Sequence, residues 1–222
     1  RTKMVTFEEI KNNENIKNYI TEADKSLTAL GFTEHSFAHV GRVGAVAEYV
    51  LETLGYPRHD IELVLIAAYL HDIGNLVNRV DHSQSGAVMA FRILDELGMP
   101  AKDIATVVTA IGNHDEGTGV AVNPVAAALI LGDKTDVRRS RVRNPDPLTF
   151  DIHDRVNYSV ISSDVKINDE KTEIVLFLEI DTHYGSVMDY FEIFMGRMLL
   201  CRKAADRLGL KFGLVINGTS VM

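Results

Sequence analysis

Residues 61–75 read IELVLIAAYLHDIGN, a nearly unbroken apolar run that closes on His71, Asp72, Ile73, Gly74 and Asn75. Eight apolar or aromatic positions in succession, Leu63 to Leu70, in a segment opened by Pro57 and closed by Gly74, predict a helix buried on most of its surface. An imidazole and a carboxylate at the end of such a helix are costly to bury unless something satisfies them. A metal ion would satisfy both.

The dipeptide alone is not diagnostic, because His is followed by Asp four times, at 59–60, 71–72, 114–115 and 153–154. His59-Asp60 follows Tyr56-Pro57 in a polar helix start, and His153-Asp154 follows the Pro- and Asp-rich stretch RNPDPLTFD (143–151), so both are expected at the surface or in caps. Around His71-Asp72 the chain offers His39, His82, His114 and Asp133. This set of imidazoles and carboxylates contains no thiolate, which suits iron, manganese, zinc, nickel or cobalt. A carboxylate that directly follows a His at a helix end can bridge two cations while the His binds one of them. The expected arrangement is therefore a two-metal centre with Asp72 as the bridge.

The helical pattern extends to both sides. Thr6 with Glu9 predicts a cap that opens a helix to about Leu30, stopped at Gly31. A second helix carries His39 and ends before Gly55, and the run quoted above is the third. Further helices are expected from near Ser83 to Leu97, from Pro100 to about Gly112, and from Pro124 through Asp133. All the candidate ligands fall on these helices or at their ends, where a bundle can bring them to one interior point. After RNPDPLTFD the period changes. VNYSVISSDVKI (156–167) and KTEIVLFLEID (171–181) flank Asn168-Asp169-Glu170 as a hairpin. Residues 186–209 read as one amphipathic helix and KFGLVI (211–216) as a last strand. The expected fold class is mainly α, with a helical bundle over residues 1–150 and a small C-terminal β-β-α-β appendage over 151–222. The appended helix has more apolar surface than three strands cover, so the segment should pack on the helical region or across a homodimer interface.

Composition bounds the function. The 222 residues are 46% hydrophobic, enough for a full core. The net charge of −8 argues against a general nucleic-acid binder and for a small substrate. Cys201 is the one cysteine, which excludes an internal disulfide and fits a cytoplasmic location. No apolar run approaches the ~18 residues of a bilayer span, so no membrane partner is expected. Arg1 is not an initiator residue, which is consistent with numbering that begins inside a longer chain.

Three segments together resemble the HD superfamily of metal-dependent phosphohydrolases over roughly residues 30–143: HSFAHVGRVGAVAEYVL (35–51), AAYLHDIGN (67–75) and ALILGDKTDVRR (128–139). The resemblance implies a helical domain in which His39, His71, Asp72 and Asp133 hold one metal. It implies further that His82 and His114 hold a second ion with Asp72 shared, the dinuclear branch. Two divalent transition-metal ions are then the cofactors, iron foremost, and a hydroxide held between them would be the nucleophile. His35, His59, His153 and His183 are expected not to be ligands, His35 being the nearest to an exception, and Asp115 could replace or orient His114. Clustered cations from Lys134 to Arg143 suit phosphate oxygens or else form a solvated face paired with Asp136, Asp146 and Asp154. Of these, Lys134 and Arg138, nearest to Asp133, are the candidates for a catalytic role beside Asp72, and Asp136 could support a ligand. The resemblance implies hydrolysis of a phosphorylated metabolite such as a nucleotide. The alternative is a di-iron oxygenase of the myo-inositol oxygenase type, which uses a similar ligand set. NHDEGTGV (113–120) stands where the GYP signature would follow His114, which disfavours cyclic-dinucleotide hydrolysis.

Overall fold

The computed structural model describes residues 4–222. The single helix expected from Thr6 to Leu30 is two helices, α1 (Phe7–Lys11) and α2 (Glu14–Ala29). Thr6 caps the first by accepting the Glu9 amide at 3.2 Å. The break falls at Asn13, whose side-chain oxygen accepts the amides of Asn15 and Ile16 at 3.0 and 3.2 Å. An asparagine side chain competes with the helical ladder and is a better start than interior.

Five helices follow in the expected order: α3 (Phe37–Thr53), α4 (Arg58–Leu70), α5 (His82–Glu96), α6 (Ala101–Gly112) and α7 (Pro124–Lys134). Pro124 occupies the first turn of α7, and the Asn123 side chain caps it through the Ala126 amide at 2.8 Å. Every residue of α7 from Val125 to Lys134 is buried. A helix that is apolar all round belongs in the centre, and α3, α4, α6 and the later helix α9 (Val187–Arg207) pack about it. Gly132 permits the closest of these approaches: a Cβ there would lie 2.5 Å from the Val43 carbonyl oxygen of α3.

α4 ends at the His-Asp pair and passes into a 3₁₀ turn, Ile73–Leu76. Gly74 sits in that turn against α5, where a Cβ would come within 1.9 Å of the His82 carbonyl oxygen and 2.5 Å of the Gly86 nitrogen. Neither backbone atom can retreat without moving the start of α5. Gly74→Ala is therefore expected to destabilise by at least the ~1–3 kcal/mol of an overpacked core, lowering Tm by about 2–4 °C per kcal/mol. An unchanged melting curve would refute this close contact.

The C-terminal region adds α8 (Ile152–Ser159), β1 (Val160–Ile167), β2 (Glu173–Ile180), α9, β3 (Lys211–Ile216) and β4 (Thr219–Ser220). The sheet order is β1-β2-β3-β4, with β1 and β2 antiparallel, β2 and β3 parallel across α9, and β3 and β4 antiparallel. The expected β-β-α-β pattern is present, with two differences. Residues 156–159, expected as strand, are the last turn of α8, which Asp151 caps through the Asp154 amide. A fourth, two-residue strand follows the Asn217-Gly218 turn, where φ is +50° and +80°, the left-handed pair that a tight hairpin requires. One apolar cluster runs from Val5 through α7 to Ile216. Among the described residues no helix is long and apolar enough to cross a membrane.

Candidate metal centre

The helix ends bring His39, His71, Asp72, His82, His114 and Asp133 to one buried point, all at 6% exposure or less. His39 lies in the first turn of α3, after the Ser36 cap. His71 and Asp72 terminate α4, His82 opens α5, His114 follows α6, and Asp133 is one residue from the end of α7.

The imidazoles are all fixed in the same sense. Nδ1 of His71, His82 and His114 donates to the carbonyls of Ala68, Arg79 and Ile111 at 2.6, 3.0 and 2.6 Å. A carbonyl only accepts, so Nδ1 carries the proton and Nε2 turns a lone pair inward. Nδ1 of His39 donates at 2.8 Å to Asp136, a carboxylate with no exposed surface. Arg138 holds Asp136 in turn with two hydrogen bonds at 2.6 and 3.1 Å, and Arg141 donates to its backbone carbonyl at 2.7 Å.

The two oxygens of Asp72 face different neighbours. Oδ2 lies 3.4 Å from His39 Nε2 and 3.3 Å from His71 Nε2, and Asp133 Oδ1 lies 3.1 and 3.5 Å from the same nitrogens. Oδ1 lies 3.6 Å from His82 Nε2 and 3.7 Å from His114 Nε2, which are themselves 3.1 Å apart. Two ligands bound at 2.0–2.2 Å to one ion are separated by roughly 2.9–3.5 Å, and most of these spacings fall in or near that range. Two lone-pair nitrogens at 3.1 Å repel each other unless a proton or a metal ion stands between them. His39 Nε2, His71 Nε2 and Asp72 Oδ2 are also buried without a hydrogen-bond partner, a costly state that coordination relieves. Three overlapping groups of donors can hold a metal: His39, His71 and Asp72; His71, His114 and Asp133; and Asp72, His82 and His114. The residues fit divalent metal binding.

Electrostatics agree. Burial opposes charge on His71, yet Asp72 and Asp133 override it and lift the imidazole to about 10. Burial likewise opposes ionisation of Asp72 and Asp133, but His71 in the first case and Lys134 in the second hold them well below the carboxylate range. The carboxylates demand a positive charge at this point, and a proton or a metal ion meets the demand. His82 is pushed down to about 4 by burial, against Asp72 and with the help of His114.

The centre opens into a cavity of about 440 Å³. Lys134 lines it but is buried and paired, 2.7 Å from Asp133 Oδ2 and 3.1 Å from Glu116 Oε2. Asp133 thus turns one oxygen to the imidazoles and the other to an ammonium. Arg138 is not among the lining residues, because its guanidinium is spent on Asp136. Of the arginines expected as a phosphate patch, only Arg141 lines the cavity. Arg139 stacks on Tyr158 at 4.3 Å and Arg143 pairs with Asp24. His35 lines the cavity and packs edgewise on His39 at 5.5 Å, but belongs to none of the three donor groups. Asp115 is also outside them, whereas exposed His153, expected only as a surface residue, lines the solvent side. Two cations of the cavity wall, Arg79 and Arg197, were missed from the sequence. Arg197 could have been noticed as a charge on the apolar stripe of α9 formed by Phe194, Met198 and Cys201.

The family described as HD domain matches residues 36–154. Among solved structures, the crystal structure at 1.45 Å resolution of a predicted HD superfamily hydrolase from an uncultured Thermotogales bacterium is 28% identical. That similarity covers 56% of this chain and 67% of the other, with a TM-score of 0.44. No curated protein matches. The family match takes in more than half of the chain and all six converging ligand candidates, so the chain belongs to the HD-domain family.

Proposed function

We propose that the chain is a metal-dependent phosphohydrolase with two ions, acting on a small phosphorylated metabolite, of which nucleotides are the leading class. The observation that carries this reading is the division of Asp72, with Oδ2 toward His39 and His71 and Oδ1 toward His82 and His114. A carboxylate placed in this way would be the shared ligand if two ions were bound. His39, His71 and Asp133 would complete one position, and His82 and His114 the other. Divalent ions bound there supply Lewis-acid polarisation of a phosphoryl oxygen and lower the pKa of water. The chain's own residues do the rest. Lys134 holds Asp133 in one orientation, and Asp136 holds the His39 ring. The cavity wall carries Arg79 and Arg141 but also Asp151 and Asp154, so the attraction for an anionic substrate would come from the bound ions together with these cations. No Ser or Cys nucleophile is required, and Cys201 is buried with its thiol pushed up to about 12 by burial.

The test is phosphate release from a panel of nucleotides and other phosphomonoesters, using protein reconstituted with Mn, Co, Ni or Fe. Hydrolysis changes no oxidation state, so turnover should persist without O2 and with redox-inert ions. Turnover that requires both iron and O2, without phosphate release, would replace this reading with the oxygenase one.

A further inference from the structure

Arg197 stands on α9, beyond the residues that match the family, yet its side chain reaches the cavity that holds Asp72, His82 and Asp133. The side chain is only 15% exposed. Its contacts are loose for a buried guanidinium. Nε lies 3.2 Å from Glu116 Oε1, but the N–H does not point at that oxygen, and Nε has no hydrogen-bond partner. Nη2 donates to the Asp133 carbonyl at 3.4 Å, and the group lies over the Phe194 ring at 5.2 Å. Burying a charged donor without aligned acceptors costs free energy. Such an arrangement suits a residue whose acceptors arrive with the ligand. The planar fork of arginine matches two oxygens of a phosphate at once.

Glu116 is the counter-ion in waiting. Its Oε2 accepts from Lys134 at 3.1 Å, while its Oε1 lies 3.2 Å from Arg197 Nε without an aligned hydrogen bond. We infer that Arg197 is the specificity residue that grips the substrate's phosphate, and that Glu116 occupies the guanidinium until phosphate displaces it. The inference rests on the phosphohydrolase reading and adds to it a residue from outside the matched family segment.

Isothermal titration of inorganic phosphate into metal-replete protein, with metal content assayed in each variant, separates this role from a structural one. Arg197→Ala should weaken phosphate binding by about 10- to 100-fold, the worth of hydrogen bonds to a charged group, with metal content unchanged. Arg197→Lys, which keeps the charge and loses the fork, should fall between. Glu116→Gln removes the competing carboxylate and should bind phosphate at least as tightly as wild type. A purely structural ion pair would make Arg197→Ala and Glu116→Gln weaken together, and that result would overturn the proposal. So would wild-type affinity in Arg197→Ala, or no phosphate binding by the wild-type protein. Should Arg197→Ala fail to fold, Arg197→Lys and Glu116→Gln still decide by their opposite signs. Wild-type phosphate release combined with undiminished affinity in Arg197→Ala would remove the inference and leave the phosphohydrolase reading intact.

Discussion

Asp72→Ala is expected to lose both metal ions and all measurable turnover, whereas His82→Ala or His114→Ala should lose one ion and keep the other. The asymmetry follows from geometry. Asp72 is the one side chain with an oxygen toward each group of imidazoles, while His82 and His114 approach only Oδ1. Elemental analysis of the purified variants reads the difference directly. Asp72→Ala protein that retains two ions per chain would eliminate the bridging role. Asp136→Asn is a milder companion, because it leaves an acceptor for His39 Nδ1 but removes the charge. A loss of 10–100-fold in metal affinity is the usual effect of such an outer partner.

Stripping the metal should give the protein a new dependence of stability on alkaline pH. His71 is raised to about 10 against an ordinary 6.5. A raised imidazole contributes stability that is complete below 6.5 and is lost as pH climbs through 10. Asp72 and Asp133 are depressed, so their contribution is present above the ordinary carboxylate range and disappears as acid protonates them. Burial holds His82 down to about 4, so its ring costs stability as pH falls below 6.5. The metal-free protein should therefore melt highest near pH 6.5 and lose Tm progressively from 6.5 to 10. Metal-loaded protein should not show the alkaline decline, because the ion replaces the proton on His71 Nε2 and binds best when that proton is gone. Equal slopes for the two forms over pH 7–10 would contradict the assignment.

Most of the helical frame was legible, because proline, glycine and apolar period act locally. Pro57, Pro100 and Pro124 precede or open α4, α6 and α7, and Gly31, Gly55, Gly98 and Gly209 follow helices with positive φ. The ligand candidates were also legible, since His and Asp on an apolar background have few inexpensive explanations. Two local readings went wrong. Asn13 restarts a helix because its side chain outcompetes the ladder, and residues 156–159 are helical because the Asp151 cap outweighs the β preference of Val156 and Tyr158. The cations were the least legible feature. Charge density along 134–143 suggested a phosphate patch, but Arg138, Arg139 and Arg143 are consumed by Asp136, Tyr158 and Asp24. Sequence proximity to Asp133 carries no information about which way a long side chain runs, and Arg197, 64 residues away, arrives through the packing of α9 on α7.

Because α7 is sealed on every side, its amides should be among the last in the chain to exchange with deuterated solvent, opening only when the whole molecule does. Asp133 rides on that helix. The spacing between its carboxylate and the imidazoles then persists through all the smaller fluctuations that fray α1 or stir the loop at 143–151. An ion bound there would face the cavity, with Asp133 held in place behind it by a helix that opens last.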